Sequence, residues 1–315
     1  MPACASRISQ LNRPLKELSD GDRILNFKSK PNSVSVTQFL DHVGHFVPDI
    51  DEAGRALENL GFTLTPFSLH LHRSHPDSEP TTGSGNRCVM FRRGYLEFLT
   101  PIGDTNIADE LRHAIQGYTG AHLIAFGTSD PQRDHARLVR MGLAPLDPIA
   151  LQREITTPTG NATARFTVVR VPSGNMPEGR IQFCQHHTPE LLWQTRWLAH
   201  ANRAASLQGV ILCVANPREA AERYARFTGS DPQMNGMLFA DPASFERRLN
   251  KKPPALPCIA GCILESDDID DTADYFRNSR VDVREIGNGR LLVELPNSVG
   301  GILIFEPKNA RPLAL

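Results

Sequence analysis

The sequence predicts an α+β fold made of four βαβββ units, paired into two tandem domains. Three observations predict it. An apolar segment recurs: "LDHVGHFVPDID" from Leu40, "LQGVILCVANPR" from Leu207 and "IAGCILESDDID" from Ile259 align without a gap, and "GAHLIAFGTSDPQ" from Gly120 joins them with one extra residue before Asp130. Each copy ends at a residue able to cap a helix N-terminus: Asp49, Asp130, Asn216 and Asp268. After each helix comes a series of short apolar runs at strand length.

The helices follow from their ends. Pro131 and Pro217 stand at the first helical position, where a missing N–H costs no hydrogen bond. "EAGRALENLGF", "HARLVRMGL" and "AAERYARFTG" stop at Gly61, Gly142 and Gly229, which suit a left-handed cap. Strands are expected at "RCVMF" and "YLEFLT" in the first unit and at "ARFTVVRV" and "RIQFCQ" in the second. The fourth unit supplies "VDVREI", "RLLVEL" and "GILIFE", and the third, shorter unit only "GMLFAD". The domains are accordingly a polar, partly ordered extension at 1–35, a first domain at 36–198 and a second at 199–315. "HHTPELLWQTRWLAHANRAAS" bridges the two domains as a turn and a helix, with Trp193 and Trp197 on one helical face as packing anchors.

The bulk properties narrow the function. The 315 residues suffice for two cores. A formal net charge of −1 with no basic stripe argues against a nucleic-acid partner. No apolar run is long enough to span a bilayer, and the N-terminus lacks the apolar core of a secretory signal, so a cytoplasmic protein with no membrane partner is expected. The six cysteines sit mostly in apolar runs and read as buried reduced thiols; Cys258 and Cys262, four apart, lack the second cluster a zinc site needs.

Two histidines open the first unit, and alternation along a strand separates them. His42 shares a face with Gly44 and Phe46, whereas His45 shares the other with Val43 and Val47. In the aligned copies His42 corresponds to His122, Gly209 and Gly261, so the position is histidine in the first domain and glycine in the second. That division points to a paired functional residue. His45 corresponds to Leu212 and Leu264 and is expected to face the helix layer or a domain contact. The last strands repeat the contrast: Glu97 in "YLEFL" and Gln182 in "RIQFC" hold the place taken by Ile304 in "ILIFE". Two imidazoles, a carboxylate and an amide oxygen (His42, His122, Glu97, Gln182) suit a divalent transition metal.

These units, with "LDHV" opening the first strand, "YLEFL" closing the first unit and "AHLIAF" opening the second, resemble the vicinal oxygen chelate superfamily, and more narrowly the glyoxalase-like domain proteins. The resemblance covers roughly 38–190, and the second domain follows by pattern alone. It implies a curved, incomplete barrel per domain, with a metal held on the first and last strands of the units, here His42, Glu97, His122 and Gln182. It also implies catalysis by lyase, isomerase or ring-cleaving dioxygenase chemistry on a small oxygen-rich molecule. Glu97 and Gln182 are then the catalytic candidates beside a Zn, Fe, Mn, Ni or Co ion. Gln182 stands where a second carboxylate is common, and an amide cannot act as a general base. The alternative is a non-catalytic binding or sequestering protein using the same cleft.

Secondary candidates lie nearby. Asn86 and Arg87 precede a strand entering the cleft and could orient a substrate; His186 could reach the cleft mouth. "LHLHRSHPD", with His70, His72 and His75, reads as a long polar connection. A small molecule is the expected partner, and a homodimer is left open. The second domain, with Gly209, Gly261 and Ile304, is expected to hold no metal and to fill its concave face with apolar residues.

Overall fold

The computed structural model describes residues 38–72, 81–172 and 174–313; the N-terminal extension, Cys4 and His75 lie outside them. Contacts gather the chain from Gln38 onward into one compact unit. The first unit of the repeat is β1 (Phe39–Phe46), α1 (Ile50–Asn59), β2 (Ser68–His72), β3 (Thr81–Met90) and β4 (Tyr95–Pro101). A connecting helix, α2 (Asn106–Gly117), leads to β5 (Gly120–Gly127), α3 (Pro131–Arg140), β6 (Ile149–Thr157), β7 (Gly160–Arg170) and β8 (Arg180–His186). The second half begins after a short α4 (Pro189–Leu192) and a 3₁₀ turn at Thr195–Trp197. It contains β9 (Ala204–Cys213), α5 (Pro217–Thr228), β10 (Met237–Ala240), α6 (Pro242–Leu249), β11 (Cys258–Ser266), α7 (Ile269–Asn278), β12 (Val283–Glu285), β13 (Leu291–Glu294) and β14 (Ile302–Glu306).

The four expected caps form. Asp49 accepts from the Asp51 and Glu52 amides, both at 2.9 Å, and Asp130, Asn216 and Asp268 cap α3, α5 and α7 in the same way. Gly61, Gly142 and Gly229 take left-handed φ values of 85°, 73° and 76°. Two expectations change. The start of the "LHLHRSHPD" stretch, expected to be part of a connection, belongs to strand β2 (Ser68–His72), and residues 73–77 lie outside the described residues. The bridging segment is broken, so Trp193 and Trp197 share no helix; Trp193 follows α4 and donates its indole N–H to the Phe91 carbonyl at 3.0 Å.

Eight strands of the first half form a closed ring, β1-β4-β3-β2-β6-β7-β8-β5, sealed by the antiparallel β1–β5 pair. The incomplete barrel expected from the resemblance is therefore a complete one. Its closing seam is the β2–β6 pairing, His70 opposite Arg153 and Leu71 opposite Gln152. In the second half β11 pairs with β9 and β14, and β10 lies beside β9. The two halves share one sheet through Ile259 opposite Ala121.

Helices α1, α3, α5 and α7 cover the outer face of the sheet, over a core that includes Val43, Leu57, Phe98, Ile124, Leu138, Tyr224, Phe276 and Phe305. Inside the first barrel lie Phe46, Tyr95, Leu123, Ala125, Phe166 and Cys184, closed over by Leu111 of α2 and by Leu192. In the second half α6 takes the place of the missing strands: its Phe245 and Leu249 pack among Ile211, Ile263, Ile302 and Ile304. Phe183 stacks on Phe227 at 4.7 Å, and buried Glu178 pairs with Arg223, tying the halves together. The five described cysteines are buried and free. Among the described residues no helix is long and apolar enough to cross a membrane.

Candidate functional site

The interior of the first barrel is where polar groups gather, and the backbone explains how. β1 and β5 run antiparallel with Val43 opposite Ile124, and a register shift between Leu40 and His42 leaves Asp41 as an extra residue on β1. Such a bulge turns a residue that would have faced outward, so neighbouring Asp41 and His42 meet side by side. The Asp41 Oδ2 atom accepts from His42 Nδ1 at 2.7 Å and from His186 Nε2, on β8, at 2.9 Å. Asp41 is 1 % exposed. Burial alone would raise its pKa; the charge of His186, then hydrogen bonds from His186 and His42, hold it well below the ordinary carboxylate range instead. Burial would lower His186, but Asp41 carries it well above the ordinary imidazole value. The pair is a buried carboxylate–imidazolium contact, ringed by Tyr95, Phe166 and Trp193.

With its Nδ1 committed to Asp41, His42 turns Nε2 inward. That atom lies 3.8 Å from Glu97 Oε2, and the imidazole stacks on Tyr95 at 4.5 Å. Glu97 stands opposite Gly44 on β1 and Cys88 on β3. Its Oε1 accepts from Asn86 Nδ2 at 2.5 Å, and the Asn86 amide oxygen accepts from Arg153 Nη1 at 2.6 Å. His70 Nε2 lies 3.6 Å from Glu97 Oε1, and its Nδ1 lies 3.1 Å from the Ser84 hydroxyl. Burial would raise the Glu97 pKa; His42, His70, Arg153 and the Asn86 hydrogen bond outweigh it, so the carboxylate stays ionised below its ordinary value. A thread of buried polar groups thus runs from His186 to Arg153.

The remaining sequence candidates separate. His122 does not join His42 and Glu97. Its Nε2 lies 2.8 Å from the Tyr118 carbonyl, and its ring packs on Tyr118 and Phe46. The cause is register: His42 precedes its cap Asp49 by seven residues, and Leu123, not His122, precedes Asp130 by seven. Pairing agrees, since His42 opposite Ala125 is mirrored by Leu123 opposite Gly44, and His122 is the bulged counterpart of Asp41. No extra residue precedes Asp130; the expected equivalence was one position out. Gln182 is interior, opposite Ala125, two strands from His42. Arg87 lies on the outer side, its Nε donating to the Thr65 carbonyl and its Nη2 to Glu58, so it does not face the cleft. His186 is buried in the Asp41 cluster rather than set at the mouth. His45 is fully buried against Phe98, with no hydrogen bond at either ring nitrogen. Asp41, His70 and Arg153 were missed. Asp41 was hidden by the bulge, since simple alternation puts it outside; the other two depend on the β2–β6 seam, which no local pattern announced.

The family model for the glyoxalase-like domain matches residues 40–228. The chain belongs to this family. The fold of this glyoxalase-like protein is shared with solved structures. A hypothetical protein from Staphylococcus aureus is 12% identical with a TM-score of 0.56, over 86% of this chain and 99% of that one. A triple mutant of 4-hydroxymandelate synthase from Streptomyces coelicolor is 13% identical with a TM-score of 0.50, over 89% of this chain and 95% of that one. Among curated proteins no significant sequence match was found.

Does the glyoxalase-like barrel hold donors fit for a metal? Asp41, His42 and His186 are the one group of three among the described residues with ligand atoms within 4.8 Å of one another. Their 2.7 and 2.9 Å contacts are hydrogen-bond lengths, however, and an imidazolium has no lone pair to give. The better fit is on the other side of the His42 ring. His42 Nε2 and Glu97 Oε2 face each other, and each has its second atom held by a buried partner, Asp41 or Asn86. Metal ligands are commonly oriented in that manner.

Proposed function

We propose that the protein is a metal-dependent enzyme of the glyoxalase type, acting on a small oxygen-rich molecule inside the first barrel. The observation that carries this reading is the pair His42 Nε2 and Glu97 Oε2, buried, 3.8 Å apart and separately oriented. These two residues would hold a divalent transition ion, with Gln182 and His70 on the same interior face as further donors. Bound there, such an ion supplies Lewis acidity to a substrate oxygen. The chain's own groups do the rest. Asp41 fixes the His42 tautomer; Asn86, backed by Arg153, keeps Glu97 ionised. His70, 3.6 Å from Glu97, adds to the surroundings that favour the ionised carboxylate. Trp193, Tyr95 and Phe166 exclude water from the Asp41–His186 pair.

The test is elemental analysis of the purified protein and of His42→Ala, Glu97→Ala and His122→Ala. Metal should be present in the parent and in His122→Ala, and lost from the other two. Full metal content in Glu97→Ala would overturn the reading. A non-catalytic binder using the same interior is the second reading, favoured by how little His42 and Glu97 are exposed, 3% and 7%. Mass spectrometry of a ligand recovered unchanged after incubation with metal-loaded protein would support it.

A further inference from the structure

Two cations inside the first barrel are not used by the proposed chemistry. Arg170, the last residue of β7, stands directly opposite Gln182 on β8, and Arg180 lies two residues before Gln182. Directly paired residues and residues two apart on a strand leave the sheet on one face. That face is the interior, shared with Cys184 and Leu123. The Arg180 guanidinium lies over the Phe46 ring at 5.8 Å and donates from Nη2 to Glu110 of α2 at 2.7 Å. Glu110 is 60% exposed, so water screens its charge. Arg170 Nε is buried and has no hydrogen-bond partner.

The charges around this corner do not balance. Asp41 is satisfied by His186, and Glu97 faces His42, with Arg153 reaching it through Asn86. Arg180 has the surface carboxylate of Glu110 and the more distant charge of Glu97, and Arg170 has no carboxylate in salt-bridge contact. Burial and then the neighbouring Arg170 charge push the Arg180 pKa down, against the pull of Glu110. Two guanidiniums side by side in a partly dry interior form a fork waiting for paired oxygens. From Arg180 the sheet crosses Leu123 and Gly44 to Glu97 in one row. Gly44 carries no side chain into that row. Three strand spacings of roughly 4.8 Å separate the row's ends, and the reach of an arginine side chain brings the gap within the span of a small acid.

We propose that Arg170 and Arg180 bind the anionic group (a carboxylate or a phosphate) of the molecule that enters the first barrel. The substrate class is then a small organic acid or phosphate ester whose oxygen-bearing end lies toward His42 and Glu97. The inference rests on the reading of this interior as the binding site, but not on the metal.

Calorimetric titration with inorganic phosphate and with malonate tests it, on protein as purified and after chelator treatment. One or both anions should bind before and after the chelator. Affinity should fall at least tenfold in Arg180→Gln and in Arg170→Gln, with metal content unchanged. Glu110→Gln, on the exposed side of α2, should tighten binding several-fold by releasing Arg180, and it guards against a loss caused by misfolding. Which anion binds more tightly tells carboxylate from phosphate. Failure of both anions to bind the parent protein, unchanged affinity in Arg180→Gln, or unchanged affinity in Glu110→Gln would overturn the proposal. Loss of metal from Glu97→Ala with anion binding intact would leave both readings standing, and metal retained in that variant would remove only the metal.

Discussion

In the first half, the interior rows of β1 and β4 carry Asp41, His42 and Glu97; in the second, the matching rows of β11 and β14 carry Ala260, Gly261 and Ile304. Both halves bulge at the same places, Asp41 and His122 in one, Ala260 and Gln208 in the other. The same pair of bulges thus accompanies a polar thread in one half and an aliphatic core plugged by α6 in the other. The glycines of the second half are not merely lost histidines. A Cβ on Gly261 would collide with the Ile302 side chain and come within 2.6 Å of its carbonyl oxygen, and one on Gly209 within 2.5 Å of the Gly236 carbonyl oxygen. Close backbone packing has taken over the space that a side chain occupies in the first half.

The contrast can be broken most forcefully at Glu97. Glu97→Ala should reduce metal affinity by more than about 100-fold, since loss of an outer partner alone typically costs about 10–100-fold. Asn86→Ala should fall in that lower range; competition against a chromogenic chelator measures both. In the second half Ile304→Ala should leave metal affinity unchanged.

Next in size is Asp41→Ala. It strands a buried imidazolium and should cost about 3–5 kcal/mol at neutral pH, read from urea unfolding. The pH dependence has two limbs. Asp41 is depressed below its ordinary 3.8, so its contribution is present above that pH and is lost as acid protonates it. His186 is raised above its ordinary 6.5, so its contribution is complete below that pH and is lost as alkali deprotonates it. Stability should therefore peak between these values and decline on both sides. Asp41→Asn should flatten the profile, and a profile identical to the parent's would break the account of the pair.

Gly261→Ala tests the packed half. The added methyl should destabilise by about 1–3 kcal/mol, as overpacking does. A thermally neutral substitution there would show that the second interior still has room.

The smallest change, and one in the opposite direction, is expected at His45. Both of its ring nitrogens are buried without partners, so His45→Leu, which copies Leu212 and Leu264, should stabilise by about 1 kcal/mol. Burial, followed by the charge of His122, lowers the His45 pKa from 6.5 to about 3. The native state resists a proton that the unfolded chain accepts, so stability falls as pH drops from 6.5 toward 3. The leucine variant should lose that part of the acid limb.

The helix caps, their glycine stops and the four repeated strands could be read directly from residues, because each is a local preference of one or two side chains. His42 and Glu97 were legible for a related reason, as polar residues on the buried face of apolar strands. His122 misled because a bulge shifts strand phase by one residue, and sequence alone cannot place the bulge. Asp41 was hidden by the same device, since simple alternation puts it outside. His70 and Arg153 come together only where β2 meets β6, across 83 residues of chain. Helix α6 went unnoticed because a short unit reads as missing strands, not as a replacement for them.

The sheet that passes from β5 to β11 has a consequence for cooperativity. Phe183 on Phe227 and Glu178 with Arg223 are buried contacts, not a docking surface between independent bodies. Separating the halves would expose aromatic faces and strand a buried carboxylate. Residues 38–315 should therefore melt in one transition, with equal calorimetric and van't Hoff enthalpies. The half without the polar thread thus contributes to the other half's chemistry by sharing its fate on unfolding.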